Sequence, residues 1–91
     1  MLALQQKIKQ AGLRVTHPRM AVLSLLVQQT DDLTVKQMYQ RLNLQKQQLS
    51  LATVYRVVSD LVLAGLLVSY QFHRAETKFN LPRVSKHQLL Q

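Results

Sequence analysis

Cysteine is absent from this 91-residue sequence, which removes disulfides, thiol catalysis and every cysteine-based zinc site. That usage fits a reducing cytosol, so a cytoplasmic location is expected. Glycine occurs twice, and both residues read as helix stops, which leaves no glycine-rich loop to cradle a phosphate. Acids are scarce: four Asp and Glu, with no paired-carboxylate arrangement and no Ser/His/Asp pattern. No enzyme is expected. No apolar run approaches the roughly 20 residues of a membrane span. The start, Met1 to Lys7, lacks a charged segment followed by an apolar run, so no secretory signal is expected. Internal repeats are missing too, and the only compositional bias is a mild enrichment in Gln.

What is present is positive charge. Twelve Lys and Arg against four acids give a net charge of +8. Such a balance favours a polyanion, either nucleic acid or an acidic membrane surface, with plain solubility as the bland alternative. The cations run from Lys7 to Lys86 without forming a block, as on a folded surface that gathers them in space. A hydrophobic content of 47% supports one modest core, so one domain is expected that folds without metal or disulfide.

One stretch, Leu49 to Gly65, organises the chain. Ser50 is a good N-cap, and Gly65 can take the left-handed conformation that ends a helix. Leu51, Val54, Val58 and Leu61 recur at the spacing of a buried stripe, flanked by Val57 and Val62. The opposite face carries Ala52, Thr53, Arg56 and Ser59, with Tyr55 at its boundary. Small and hydrogen-bonding groups around one guanidinium and one phenol suit close approach to another surface. An α-helix of this width fits the DNA major groove. The alternative is an ordinary surface helix whose β-branched residues reflect burial.

Three helices precede it. Leu2 to Ala11 places Leu4, Ile8 and Ala11 on one side, with Gly12 as the stop and Leu13 folded back on Ile8. Thr16 caps a second helix that tolerates Pro18 in its first turn; Met20, Leu23 and Val27 form its stripe, widened by Val22, Leu25 and Leu26. Arg19 lies at the positive end of that helix, where a phosphate would complement both. Gln28 to Leu33 is a loop. Thr34-Val35-Lys36-Gln37 is a capping box, and Val35, Met38, Tyr39 and Leu42 face inward along a helix fading near Asn43. A Gln-rich linker, Leu44 to Leu49, follows.

After Gly65, Leu66 to Phe72 has strand composition, His73 to Thr77 is a polar turn, and Lys78 to Leu81 is a short return strand ended by Pro82. Arg74 and Lys78 can reach phosphates from this hairpin. The fold expected is mostly α with a small β-hairpin: a winged helix of three to four helices followed by a two-stranded wing. The domain expected is 1–82, with 83–91 a linker or tail.

With these segments read, the sequence resembles the ferric uptake regulator family of bacterial metal- and peroxide-responsive repressors. Gly12-Leu13-Arg14-Val15-Thr16-His17-Pro18-Arg19 is similar to the family's approach to its second helix. Leu51-Ala52-Thr53-Val54-Tyr55-Arg56 is similar to its recognition helix, with Thr-Val-Tyr-Arg the most specific part. Leu61 to Val68, through Ala64-Gly65-Leu66-Leu67, resembles its passage into the wing. The likeness covers about residues 2 to 81. It implies that Tyr55 and Arg56 face bases and phosphates in the major groove, with Tyr55 packed on a thymine methyl. It implies that Ser50 and Thr53 support backbone contacts, that Arg14 enters an A·T-rich minor groove, and that Arg19 holds a phosphate. The DNA-binding set expected is Arg14, Thr16, Arg19, Ser50, Ala52, Thr53, Tyr55, Arg56, Ser59, Arg74 and Lys78. The function implied is a repressor-type regulator reading A·T-rich inverted repeats of double-stranded DNA as a dimer. The alternatives are a protein-interaction winged helix and a non-specific nucleic-acid binder.

The departures from the family matter as well. Its members continue into a second α/β domain that dimerises and binds Zn and Fe or another divalent metal. Here the chain stops at Gln91, and His87-Gln88-Leu89-Leu90 is a faint echo of the family's His-rich stretch. The Cys-x-x-Cys pairs are missing; Asp31-Asp32 stands where relatives often have His, and Asn80 where they often have Glu. No cofactor or metal site is therefore expected in this chain. Alone it is expected to be a monomer or weak dimer, and a homodimer on DNA where a dimerisation domain is present. His17, His73 and His87 read as solvated or hydrogen-bonded rather than as metal ligands, Asp31-Asp32 as a solvated loop or cap rather than a cation site, and Tyr39 and Phe79 as core.

Overall fold

A computed structural model describes residues 2–82. Three of its four helices begin at a hydroxyl residue that accepts a hydrogen bond from the backbone N–H three positions on. Thr16 takes that of Arg19 (3.3 Å) and starts α2, His17–Gln28; Thr34 takes that of Gln37 (3.1 Å) and starts α3, Val35–Leu44; Ser50 takes that of Thr53 (3.1 Å) and starts α4, Leu51–Leu63. Each satisfies one orphan donor of the first turn. The capping box is closed reciprocally, with the Thr34 N–H donating to Gln37 Oε1 at 2.9 Å.

The helix ends share one device. Past α1, Leu2–Gln10, the Gly12 N–H donates to the Lys9 carbonyl (2.9 Å) and Leu13 N–H to that of Ile8 (3.1 Å). Past α4, Gly65 and Leu66 do the same to Val62 (3.0 Å) and Leu61 (2.9 Å). Both pairs are Schellman closures, and the glycines sit at φ 82 and 80. Past α3 the same closure is made by a lysine: Lys46, at φ 61, donates to Asn43 and Gln47 donates to Leu42, each at 2.9 Å. An L-residue in this conformation costs about 1–2 kcal/mol. Lys46→Gly is therefore expected to raise stability by about 0.5 kcal/mol, once the extra chain entropy of glycine, about 0.5–1 kcal/mol, is subtracted. Gly65→Ala is expected to lose about 1 kcal/mol, although no atom lies within 4 Å of the added methyl. Urea midpoints at unchanged slope would check both; a loss on Lys46→Gly would contradict the account.

α4 packs on both α2 and α3, α2 packs on α3, and α1 rests on α2. Ile8, Leu23, Leu25, Leu26, Met38, Leu42, Val54, Val58 and Leu61 are buried together between them. The stripe of α2 differs from expectation. Val22, Leu23, Leu25 and Leu26 are buried, while Met20 is half-buried and Val27 is exposed. A helix apolar nearly all round gives periodicity little to choose between, and the neighbouring helices select the face. On α4 the buried set is Val54, Val57, Val58 and Leu61, with Leu51 half-buried.

Strand β1, Val68–Tyr70, pairs antiparallel with β2, Lys78–Asn80, Ser69 standing opposite Phe79. β1 is shorter than the sequence suggests, because Leu67 turns into the core before it and Phe72 is exposed beyond it, and β2 stops one residue short, at Asn80. Leu33 adds an isolated bridge: its N–H donates to the Phe79 carbonyl (3.1 Å), and the Phe79 N–H donates back (2.7 Å). Beside it Asn80 Nδ2 donates to Asp32 Oδ1 at 2.8 Å, and Asn80 Oδ1 accepts from the Leu81 N–H at 2.8 Å. The hairpin is thus fastened to the segment that enters α3. Four helices followed by this wing make a winged helix. No described helix is long and apolar enough to cross a membrane. The expected tail, 83–91, lies outside the described residues.

Candidate nucleic-acid interface

The outer face of α4 carries Ala52, Tyr55, Arg56 and Ser59, all exposed, with Thr53 half-buried beside them. Their spacing puts them on one side of the helix because the other side is committed to the core. Ser50 is used locally: its hydroxyl donates to Thr53 Oγ1 at 2.9 Å while accepting the Thr53 N–H. Tyr55 is half exposed, at 50%.

Two grooves flank this face. One runs between α4 and the start of α2, lined by Arg14, Thr16, Arg19, Thr53, Arg56 and Asp60. It gathers five of the residues expected to bind DNA. Within it Arg19 is already engaged: one guanidinium nitrogen donates to the Arg14 carbonyl at 2.7 Å, and another meets Asp60 Oδ2 at 3.2 Å. Arg19 thereby ties the start of α2 and the preceding loop to α4. The pair is part-exposed and contributes roughly 0.2–1 kcal/mol after solvent screening. The guanidinium of Arg56, by contrast, has no ion pair or side-chain hydrogen bond among the described residues.

The second groove lies between α4, the start of α3 and the wing. Tyr55, Lys36, Gln71, Arg74 and Thr77 line it, with Glu76 at the same wall. Arg74 was expected at the interface; Lys36 was not. It stands far from both in the chain, and no local pattern brings α3 beside Tyr55. Lys78 is exposed on β2 and lines neither groove, and Ser59 faces an apolar hollow with Leu63 and Phe79. The grooves together set five cations against two carboxylates. His17 and His73 are exposed, while His87 lies outside the described residues. Among the described residues no group of three or more His, Cys, Asp or Glu could hold a metal ion.

The family model of the ferric uptake regulator family matches residues 10–91. The chain belongs to the ferric uptake regulator family. That family is one of regulators, not of enzymes. The ferric uptake regulation protein of Legionella pneumophila is 35% identical over 83 residues, which are 90% of this chain and 61% of that protein. Among solved structures, the Vibrio cholerae ferric uptake regulator superposes with a TM-score of 0.79 at 32% identity, covering 86% of this chain and 60% of that one. The Pseudomonas aeruginosa ferric uptake regulator with manganese gives 0.81 at 32% identity, over 86% and 59%. The chain thus spans about three fifths of the length of these ferric uptake regulators.

Proposed function

We propose that this chain is the sequence-specific DNA-binding domain of a repressor-type transcriptional regulator. It lays the outer face of the helix at 50–64 in the major groove of an A·T-rich inverted repeat. The observation that carries the reading is the unpaired Arg56 beside Tyr55 and Ala52, on a helix face flanked by two cationic grooves. Base contacts from that face supply specificity; phosphate contacts from the flanks supply most of the affinity and its salt dependence. Arg14 reaches into the adjoining minor groove, Thr16 and Ser50 present caps to the backbone, and Arg19 acts by positioning Arg14 as much as by meeting a phosphate. The Vibrio cholerae ferric uptake regulator, which this chain resembles, has DNA-binding domains, and that likeness supports this reading. In this reading 1–82 is the DNA-binding domain, and 83–91 leads towards a dimerisation and metal-sensing domain in the cytoplasmic regulator.

Selection from a random duplex pool at physiological salt, with and without chelator, tests the proposal. An A·T-rich half-site or inverted repeat enriched in both conditions is the expected result. Retention of the pool with no enriched sequence would overturn specific readout. The chain alone is expected to bind such a site weakly, because it lacks the second half-site grip of a dimer. Gel filtration beside titration checks that, and a stable dimer of high affinity would contradict it.

A further inference from the structure

We propose that Lys36 and Arg74 form a phosphate clamp on the wing side of Tyr55, gripping the DNA strand on the flank of α4 that faces away from the groove beside α2. This rests on the DNA-binding reading above. A helix with its side chains is about 10–12 Å across, and the major groove is about 12 Å wide. A helix seated there has a sugar–phosphate strand along each flank. On one flank lies the groove beside α2, lined by Arg14, Arg56 and Arg19, the last held by Asp60. On the other flank the cations are Lys36 and Arg74, which line one open groove with Tyr55. Neither has an ion pair or side-chain hydrogen bond among the described residues.

The placement of the two cations is built rather than incidental. Arg74 sits in a turn braced from inside: Gln71 Nε2 donates to the Ala75 carbonyl (3.2 Å), the Ala75 N–H donates to that of Phe72 (3.1 Å), and His73 takes the left-handed φ of 56 that closes it. The wing in turn is pinned to the approach to α3 by the Leu33–Phe79 bridge and the Asp32–Asn80 hydrogen bond. Lys36 and Arg74 therefore line one groove with Tyr55 on segments joined by a backbone bridge and a side-chain hydrogen bond. Glu76 lines the same groove and opposes the strand. A phosphate clamp thus predicts opposite signs for neutralising a cation and neutralising Glu76.

The test is the slope of log affinity against log salt for the full chain on a random duplex, read by fluorescence anisotropy. Lys36→Gln and Arg74→Gln are each expected to reduce the slope by about 0.9 and to weaken binding about fivefold near physiological salt, equally on selected and random DNA. Lys36→Arg is expected to keep the slope, Glu76→Gln to tighten binding, and Lys9→Gln, at an exposed position of α1, to change nothing. Unchanged melting temperatures would exclude a folding effect for these exposed positions. If wild type binds with a steep slope while Lys36→Gln and Arg74→Gln leave it unaltered, the clamp is wrong and the DNA reading stands. If wild type shows no salt-dependent retention of duplex, both fail together.

Discussion

Leu61→Ala is expected to cost about 2–5 kcal/mol, the range for emptying a fully buried leucine site. Leu61 is 0% exposed, and it lies where the inner face of α4 meets the helices beneath. Domains of this size have about 5–15 kcal/mol in all, so the variant would retain only part of its stability. The carbonyl of Leu61 also receives the Leu66 N–H that closes α4, which limits how far the backbone can collapse into the cavity. The comparison that gives the number meaning is Leu63→Ala, two residues on and 85% exposed, expected within about 0.5 kcal/mol of wild type. Urea unfolding of the pair checks both. A loss at Leu61 no larger than that at Leu63 would mean that α4 is not seated on the core as described.

Arg56→Ala is expected to weaken binding to a selected site by about 1–3 kcal/mol, or about 5- to 150-fold, and to relax sequence preference. The side chain is exposed and unpaired among the described residues, so its removal leaves no buried partner behind, and stability should hardly move. The loss should be smaller on random duplex. Equal losses on both would make Arg56 a phosphate contact and place the readout on Tyr55 and its neighbours. Arg19→Ala provides the contrast. Its guanidinium joins the Arg14 carbonyl and Asp60, so that variant should lower stability slightly as well as binding.

What sequence could and could not reveal divides by distance along the chain. Thr16, Thr34 and Ser50 announce their helices because a cap acts within three residues, and all three make the expected bond. Gly12 and Gly65 stop helices for the same local reason, and the exposed face of α4 follows once its inner stripe is known. Lys46 in a glycine's role carried no such sign, since the closure is satisfied by backbone groups whatever the side chain. The pairs Arg19–Asp60, Asp32–Asn80 and Leu33–Phe79 were not legible at all. Each joins segments more than 40 positions apart, and no periodicity encodes which distant residues meet. The placement of Lys36 was hidden for that reason: only the packing of α3 against α4 lines one groove with both Lys36 and Tyr55.

The Leu33–Phe79 bridge has a consequence for how the domain opens. Each residue's amide is protected by the other's carbonyl, so neither can exchange its hydrogen while the other stays bound to it. Beside it the Leu81 N–H donates to Asn80 Oδ1 and Asn80 Nδ2 donates to Asp32, so the end of β2 is tied to the approach to α3 by a side chain as well as by the backbone bridge. An exchange map of this protein would record the loop at 32–33 and the strand at 78–80 as one unit with a single opening energy, separate from the helices and lower than theirs. The wing is in that sense a latch shared with α3 rather than an arm hinged on its own.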